Sequence, residues 1–275
     1  MFGIFGKKKQ TKQTGSPSLS NGSGADSADS TRLRPAENYP WRDHHDYAAC
    51  NFALGHLHHN LLNLMTIDGR IHAETCLAAI GAISGFAAQR ALFARISEEN
   101  DTVTISQIKS ATTKNGANFY FGEPLNQMLF PQSDADANGK LWSHAAGGAV
   151  SAGLDPNQLP QLGDFFSHVA ANLGGELEGI PSVSRDHYPQ LPAKELLTLT
   201  WPLALMCFGG RFPNSQHDFG AASARFWPAI SAHVAGALIT KTQPALDPAI
   251  GLTIVMESAI YASKLDPASV GPSAS

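Results

Sequence analysis

Residues 77–88 are apolar on every side of any helix that they could form, and most of them are small. A helix without a polar face is stable in water only when neighbouring segments bury it. Gly81 and Gly85 are four residues apart, so they share one face and would let another backbone approach closely. The sequence therefore predicts a buried helix over residues 71–96.

Other segments of the chain also show apolar residues at helical spacing. They predict helices over residues 43–65, 141–153, 158–173, 192–209, 219–240 and 248–264. Asp247 and Pro248 are typical of a helix start, with Asp as the N-cap and Pro in the first turn. Pro202 and Pro228 interrupt helical patterns and are expected to kink or split those helices. We predict a mainly α protein with a single helical domain over residues 38–266.

One part of this domain has a different composition. Residues 102–105 and residues 118–121 are β-branched or aromatic and are bounded by polar residues or glycine. Such short runs are typical of strands, and the two runs predict a short two-stranded β element.

The two ends of the chain are polar. Residues 10–31 are rich in Ser and Gly and have few apolar side chains to offset the entropy cost of ordering, so residues 1–37 are predicted to be a flexible basic tail. Residues 267–275 are predicted to be a frayed C-terminus. Residues 1–9, from Met1 to Lys9, combine three large apolar residues with three lysines. They indicate at most a weak contact with a membrane surface, and a solvated terminus is the alternative.

Charge separates the tail from the rest of the chain. Residues 1–34 carry six Lys and Arg against Asp26 and Asp29, a balance of +4, so the formal net charge of −4 leaves −8 on the remainder. An acidic body repels polyanions, and nucleic acid is therefore not an expected partner.

Cysteine usage and hydropathy bear on the compartment. Cys50, Cys76 and Cys207 are far apart and odd in number, which fits a reducing compartment rather than a disulfide framework. The runs free of charged residues are shorter than the roughly 20 apolar residues that a membrane span needs. No segment resembles a secretory signal. We expect a soluble cytoplasmic protein, most simply a bacterial one.

Histidines are crowded near the start of the predicted domain. Six of the eleven histidines lie between positions 44 and 72. On the first predicted helix His56, His59, Asn60 and Asn63 share one face, opposite the leucines. Two imidazoles and two amides could hydrogen-bond a polar ligand or a catalytic water, and a solvated polar face is the alternative.

The connection after this helix predicts how the polar face is oriented. Asp68 and Gly69 predict a tight turn, which would make the first two helices an antiparallel hairpin. The histidine face would then lie across from Ala78 and Gly81.

The same turn offers a weaker candidate metal site. Asp68, His72 and Glu74 could hold one ion at the turn, although His59 lies too far along the helix to complete the ligand set.

Two hypotheses of function follow, because no complete catalytic, nucleotide-binding or cofactor motif is present and no cofactor is indicated. The first is a non-catalytic binding or scaffolding protein whose helical body recognises a protein or a small-molecule ligand. The second is a hydrolytic enzyme, with or without the assistance of a metal, whose polar pocket is formed by His56, His59, Asn60 and Asn63.

Overall fold

The order of the elements explains how the chain surrounds its most apolar segment. A computed structural model describes residues 39–211 and 218–271. The predicted tail over residues 1–37, including its membrane-contacting residues 1–9, lies outside the described residues, as do residues 272–275. Within the described ranges the chain is mainly α-helical, which confirms the predicted fold class. The helices are α1 (Tyr47–Leu64), α2 (Ala73–Glu99), α3 (Thr102–Gln107), α4 (Glu123–Leu129), α5 (Leu141–Ser151), α6 (Leu162–Asn172), α7 (Ala193–Phe208), α8 (Trp227–Thr242) and α9 (Pro248–Ala262).

Two short antiparallel ladders complete the fold within these ranges. Strands β1 (Thr66–Ile67) and β2 (Arg70–Ile71) join α1 to α2. Strands β3 (Lys109–Thr112) and β4 (Asn118–Phe121) pair between α3 and α4.

Helix α2 forms the centre of the core. It packs most closely on α9 and also contacts α7 and α8. All residues from Thr75 to Gln89 are buried, as the absence of a polar face predicts. By length and hydropathy α2 could also cross a membrane, but 89% of its most apolar window is buried within the protein.

The close approach of α2 and α9 depends on glycine. A Cβ at Gly85 would overlap the backbone carbonyl oxygen of Ala259, and a Cβ at Gly81 would overlap that of Val255. The sequence prediction that a backbone packs against this face is confirmed, and the partner is α9. The prediction that the histidine face of α1 lies across from Gly81 is wrong, because α9 occupies that position.

A buried glutamine fastens the far end of this helix pair. Gln89 Nε2 donates hydrogen bonds to the carbonyl oxygens of Ser263 at 2.9 Å and Leu265 at 2.7 Å. Carbonyls at the end of a helix have no hydrogen-bond partner within the helix. The Gln89 side chain therefore satisfies two buried acceptors that would destabilise the fold if they were left without a donor. The backbone N–H of Tyr120 in turn donates to Lys264 O at 2.7 Å, which attaches the β3–β4 ladder to α9.

Helix α1 follows a different course from the predicted hairpin. Its main contacts are with α7 and α8 rather than with α2. The turn is as tight as predicted, since Asp68 (φ 49°) and Gly69 (φ 73°) are both left-handed and close the two-residue ladder β1–β2. The two helices diverge from this turn because α9 covers the small-residue face of α2.

Local chemistry accounts for the other departures from the predictions. Residues 102–105 are helical in α3, not a strand, because the Asp101 side chain caps the helix by accepting a hydrogen bond from Thr104 N at 2.9 Å. The strand lies instead at Lys109–Thr112, and the strand at Asn118–Phe121 is confirmed. Pro228 begins α8 instead of interrupting it, whereas Pro202 lies inside a continuous α7. Asp247 caps α9 as predicted.

The glycine contact on α2 yields a prediction on stability. Gly85→Ala places a methyl group where the Ala259 carbonyl lies, and we expect a destabilisation of at least about 2 kcal/mol, in the range typical of overpacked cores. The measurement is the free energy of unfolding from urea titration of the full chain.

Gly55→Ala is the matched control. Gly55 lies in α1, and a Cβ there would meet no heavy atom within 4 Å. Alanine has a higher helix propensity, so we expect a stabilisation of up to about 1 kcal/mol. Equal effects of the two substitutions would contradict the packing of α2 on α9.

Candidate functional site

The turn between α1 and α2 forms one wall of a cleft. Because Asp68 and Gly69 reverse the chain within two residues, Thr66 pairs with Ile71 and Ile67 pairs with Arg70. The start of α7 forms the opposite wall. We call this space the turn cleft, and its volume is about 570 Å³. This volume lies within the range of cavities that hold small molecules.

The turn cleft is mostly apolar. Its lining includes Leu64, Met65, Ile67, Ile71, Leu191, Leu196 and Leu199. Three of these large aliphatic side chains are exposed to solvent: Ile67 is 64% exposed, Leu199 is 59% exposed and Leu64 is 51% exposed. Large aliphatic side chains that converge on one opening are typical of binding sites.

Four polar residues lie among these apolar walls, namely Arg70, His72, Thr75 and Gln190. Arg70 is exposed, and its side chain forms no hydrogen bond or ion pair with any residue that the structure describes. His72 caps α2, because its Nδ1 accepts hydrogen bonds from Thr75 N at 3.3 Å and from Thr75 Oγ1 at 2.8 Å. In the neutral imidazole the proton must then be on Nε2, which leaves that nitrogen as a donor.

Contacts with the segment before α7 hold the two walls together. Thr75 Oγ1 accepts a hydrogen bond from Gln190 N at 2.9 Å. Glu74 accepts one from His187 Nδ1 at 2.9 Å, and its carboxylate is 3.5 Å from His72 Nδ1. Partial burial opposes ionisation of Glu74, but the hydrogen bond from His187, a backbone hydrogen bond and the nearby imidazoles of His72 and His187 together lower the pKa of Glu74. The opening is therefore framed by fixed polar groups.

The four polar residues predicted on the first helix lie elsewhere. His56, His59, Asn60 and Asn63 do not line the turn cleft. Asn60 Nδ2 donates to His56 O at 2.8 Å, and Asn63 Nδ2 lies 2.9 Å from His59 Nε2. The His56 ring lies 3.9 Å from the Phe52 ring, and burial lowers its pKa. These groups therefore interact largely along their own helix, and their role in binding a ligand stays a prediction.

The three weak metal candidates are also not assembled into a ligand set. Asp68 is exposed at the turn, while Glu74 is directed to His187 and His72 to the cap of α2. Among the residues that the structure describes, no group of three or more His, Cys, Asp or Glu side chains is placed to hold a metal ion.

A buried acidic residue lies in a second, very small cavity. Glu257 accepts hydrogen bonds from Ser182 N at 2.5 Å and Ser182 Oγ at 2.6 Å, and its carboxylate is 3.8 Å from His168 Nε2. Burial raises the pKa of Glu257. The cavity beside it measures about 10 Å³, which is room for a single water molecule. We therefore assign this network to the core and not to a substrate site.

Sequence reasoning missed the α7 wall of the turn cleft, although one signal for it was present. Glu195, Leu199, Pro202 and Met206 follow each other at helical spacing and are exposed, whereas most of the residues between them are buried or half-buried. Leu199 is thus a large apolar residue on the same side as a charged one. No local signal pairs Glu74 with His187, because 113 residues separate them.

Comparisons of the chain with models of protein families, with curated proteins and with solved structures gave no match.

Two further histidines form a largely buried pair on α5 and α8. The rings of His144 and His233 lie 3.8 Å apart. Burial lowers the pKa of His144 to about 3, with a contribution from His233, and burial also lowers the pKa of His233. In the unfolded chain both would titrate near the ordinary value of about 6.5.

This pair predicts a dependence of stability on pH. Below about pH 6.5 the unfolded chain binds protons at these two histidines, whereas the folded chain does not. The free energy of unfolding is therefore highest above that pH and falls as the pH drops toward 3. Between pH 6.5 and pH 5 we expect His144 to account for a loss of roughly 1 to 2 kcal/mol, and His233 adds a loss in the same direction. Urea titration at pH 7.5, 6 and 5 measures it.

The variant His144→Gln isolates this contribution. Glutamine keeps an acceptor for Gly139 N, which now donates to His144 Nε2 at 3.3 Å, but it does not titrate. The variant should lose less stability on acidification than the wild type. For each protein the free energy of unfolding is expressed as its change from the value at pH 7.5, so the effect of the substitution on packing cancels. An identical dependence of the free energy of unfolding on pH in the two proteins would show that His144 binds protons equally in the folded and unfolded chain.

Proposed function

We propose that the protein is a non-catalytic binding protein that takes a small amphipathic anion into the turn cleft. The apolar part of the ligand would contact Leu64, Ile67 and Leu199. Its anionic head would lie beside Arg70 and His72. The observation that carries the proposal is the combination of converging exposed aliphatic side chains with the guanidinium of Arg70, which has no side-chain partner within residues 39–211 and 218–271, at the same opening.

Charge and chemistry select this ligand class. An arginine is the side chain best suited to a carboxylate or phosphate, because its planar fork offers two parallel donors. The Nε2–H of His72 would be a second donor. The body as a whole carries a net charge of −8 and repels anions on average, so Arg70 provides a local positive charge where an anion can bind.

The framing contacts support a cleft that is formed before the ligand arrives. Thr75 and Gln190 connect the two walls at 2.9 Å, and His72 is held by the cap of α2. Preorganised walls reduce the entropy cost of binding, which favours a small-molecule ligand. A cytoplasmic location is part of the proposal, and the three cysteines, all buried and free, support it.

Dodecanoate and dodecanol test the ligand class, because they share an apolar chain and differ in the head. Arg70→Gln should weaken binding of dodecanoate about tenfold through the loss of a charge-assisted hydrogen bond, and should leave binding of dodecanol unchanged. Leu199→Ser should weaken binding of both about tenfold, since it removes apolar contact area from the cleft. Isothermal titration of the full chain with each compound gives the affinities.

Leu162→Ser is the matched control for Leu199→Ser. Leu162 is an exposed leucine at the start of α6 that does not line the turn cleft, so binding of both compounds should be unchanged. Equal affinity of the wild type and the Arg70→Gln variant for dodecanoate would overturn the proposal. A dimer in gel filtration that Leu199→Ser abolishes would instead identify the cleft as a protein interface.

A further inference from the structure

A second cleft concentrates positive charge on the acidic body. It has a volume of about 570 Å³ and lies between residues 39–44, the loop before α5 and the start of α8. Three of the thirteen Lys and Arg residues beyond position 34 line it, namely Arg42, Lys140 and Arg225. One acidic side chain, Asp43, is part of the described lining, and the carboxylates of Asp46 and Asp136 lie behind it in contact with His44 and Lys140. We call this space the basic cleft.

The polar groups of the basic cleft are held in place by their neighbours. His44 Nδ1 bonds the carboxylate of Asp46, which is buried behind it. Burial alone would raise the pKa of Asp46, but hydrogen bonds from Ser223 and His44 hold that pKa at about 2. The ionised carboxylate orients the imidazole, because it accepts from Nδ1 and from Ser223 N at 2.8 Å.

Aromatic rings fix the rest of the wall. The edge of the Phe226 ring meets His44 with 5.0 Å between the ring centroids, and the guanidinium carbon of Arg225 lies 4.5 Å from the Phe226 centroid. Lys140 Nζ donates to Gln127 O at 2.6 Å and lies 3.5 Å from Asp136. That ion pair is partly exposed and therefore contributes little to the stability of the fold. The cations are thus positioned by contacts and are not merely loose surface side chains.

We propose that the basic cleft binds a small molecule that carries a phosphate monoester. Three cations line the cleft, and a phosphate monoester offers them three acceptor oxygens where a carboxylate offers two. Arginine also binds phosphate through two parallel hydrogen bonds. Pro40, Met128 and Pro228 line the same cleft and would contact the apolar part of the ligand. This site shares no residue with the turn cleft, and the inference does not depend on the proposed function.

Phenyl phosphate is the probe, titrated calorimetrically into the full chain. We expect saturable binding of one equivalent, weakened at least tenfold by Arg225→Met and several-fold by Lys140→Met. Arg225→Lys keeps the charge but not the fork and should weaken binding several-fold, which covers the case in which Arg225→Met does not fold. Circular dichroism confirms the fold of each variant.

Two variants serve as controls. Arg95→Met removes an exposed cation of α2 that lines neither cleft, and Arg70→Gln alters only the turn cleft; both should bind phenyl phosphate as the wild type does. Conversely, Arg225→Met should leave binding of dodecanoate unchanged. Failure at one cleft therefore does not imply failure at the other.

Further probes separate the possible sources of phosphate. Benzoate should bind at least tenfold more weakly than phenyl phosphate, and equal affinities would overturn the proposal in favour of a general anion site. Vesicles containing phosphatidate, and a short DNA duplex, test macromolecular phosphates. Binding to either one that Arg225→Met abolishes, without binding of phenyl phosphate, would also overturn the proposal.

Discussion

The contact between α2 and α9 is the constraint on which the rest of the structure depends. A helix that is apolar on every side must be surrounded, and Gly81 and Gly85 let the carbonyls of Val255 and Ala259 come into direct contact with its backbone. Once α9 occupies that face, α1 has to pack elsewhere. Helix α1 therefore packs on α7 and α8, and the two helices joined by the turn at Asp68 and Gly69 diverge from it.

The turn cleft follows from this divergence. Two helices that packed side by side from the turn onward would bury Leu64 and Ile71 between them. Because they separate, those side chains remain at the surface and face the start of α7 instead. The cap of α2 has two roles. The hydrogen bonds between His72 and Thr75 cap the N-terminus of the helix, and Thr75 also connects it to Gln190. A stable core contact thus creates an apolar opening with polar groups at its edge.

The histidines show how tertiary context separates residues of one type. His44 is oriented by an ionised carboxylate, His72 caps a helix, and His144 and His233 share a largely buried site where burial keeps them neutral. Crowding of His44, His45, His56, His58, His59 and His72 in the sequence therefore did not indicate one common site. His44, for example, is linked through Asp46 to Ser223, a residue far away in the sequence.

Local chemistry in the sequence determined the helices, because apolar periodicity, the Asp247 cap, the Asp68–Gly69 turn and the absence of a polar face on α2 each act within a few residues. It did not determine whether residues 102–105 are helix or strand, since the cap from Asp101 competes with their β propensity. Only the tertiary structure decided which helix covers Gly81, and hence where α1 lies. The clefts depend on that decision, because each one joins segments far apart in the chain whose contacts no local pattern encodes.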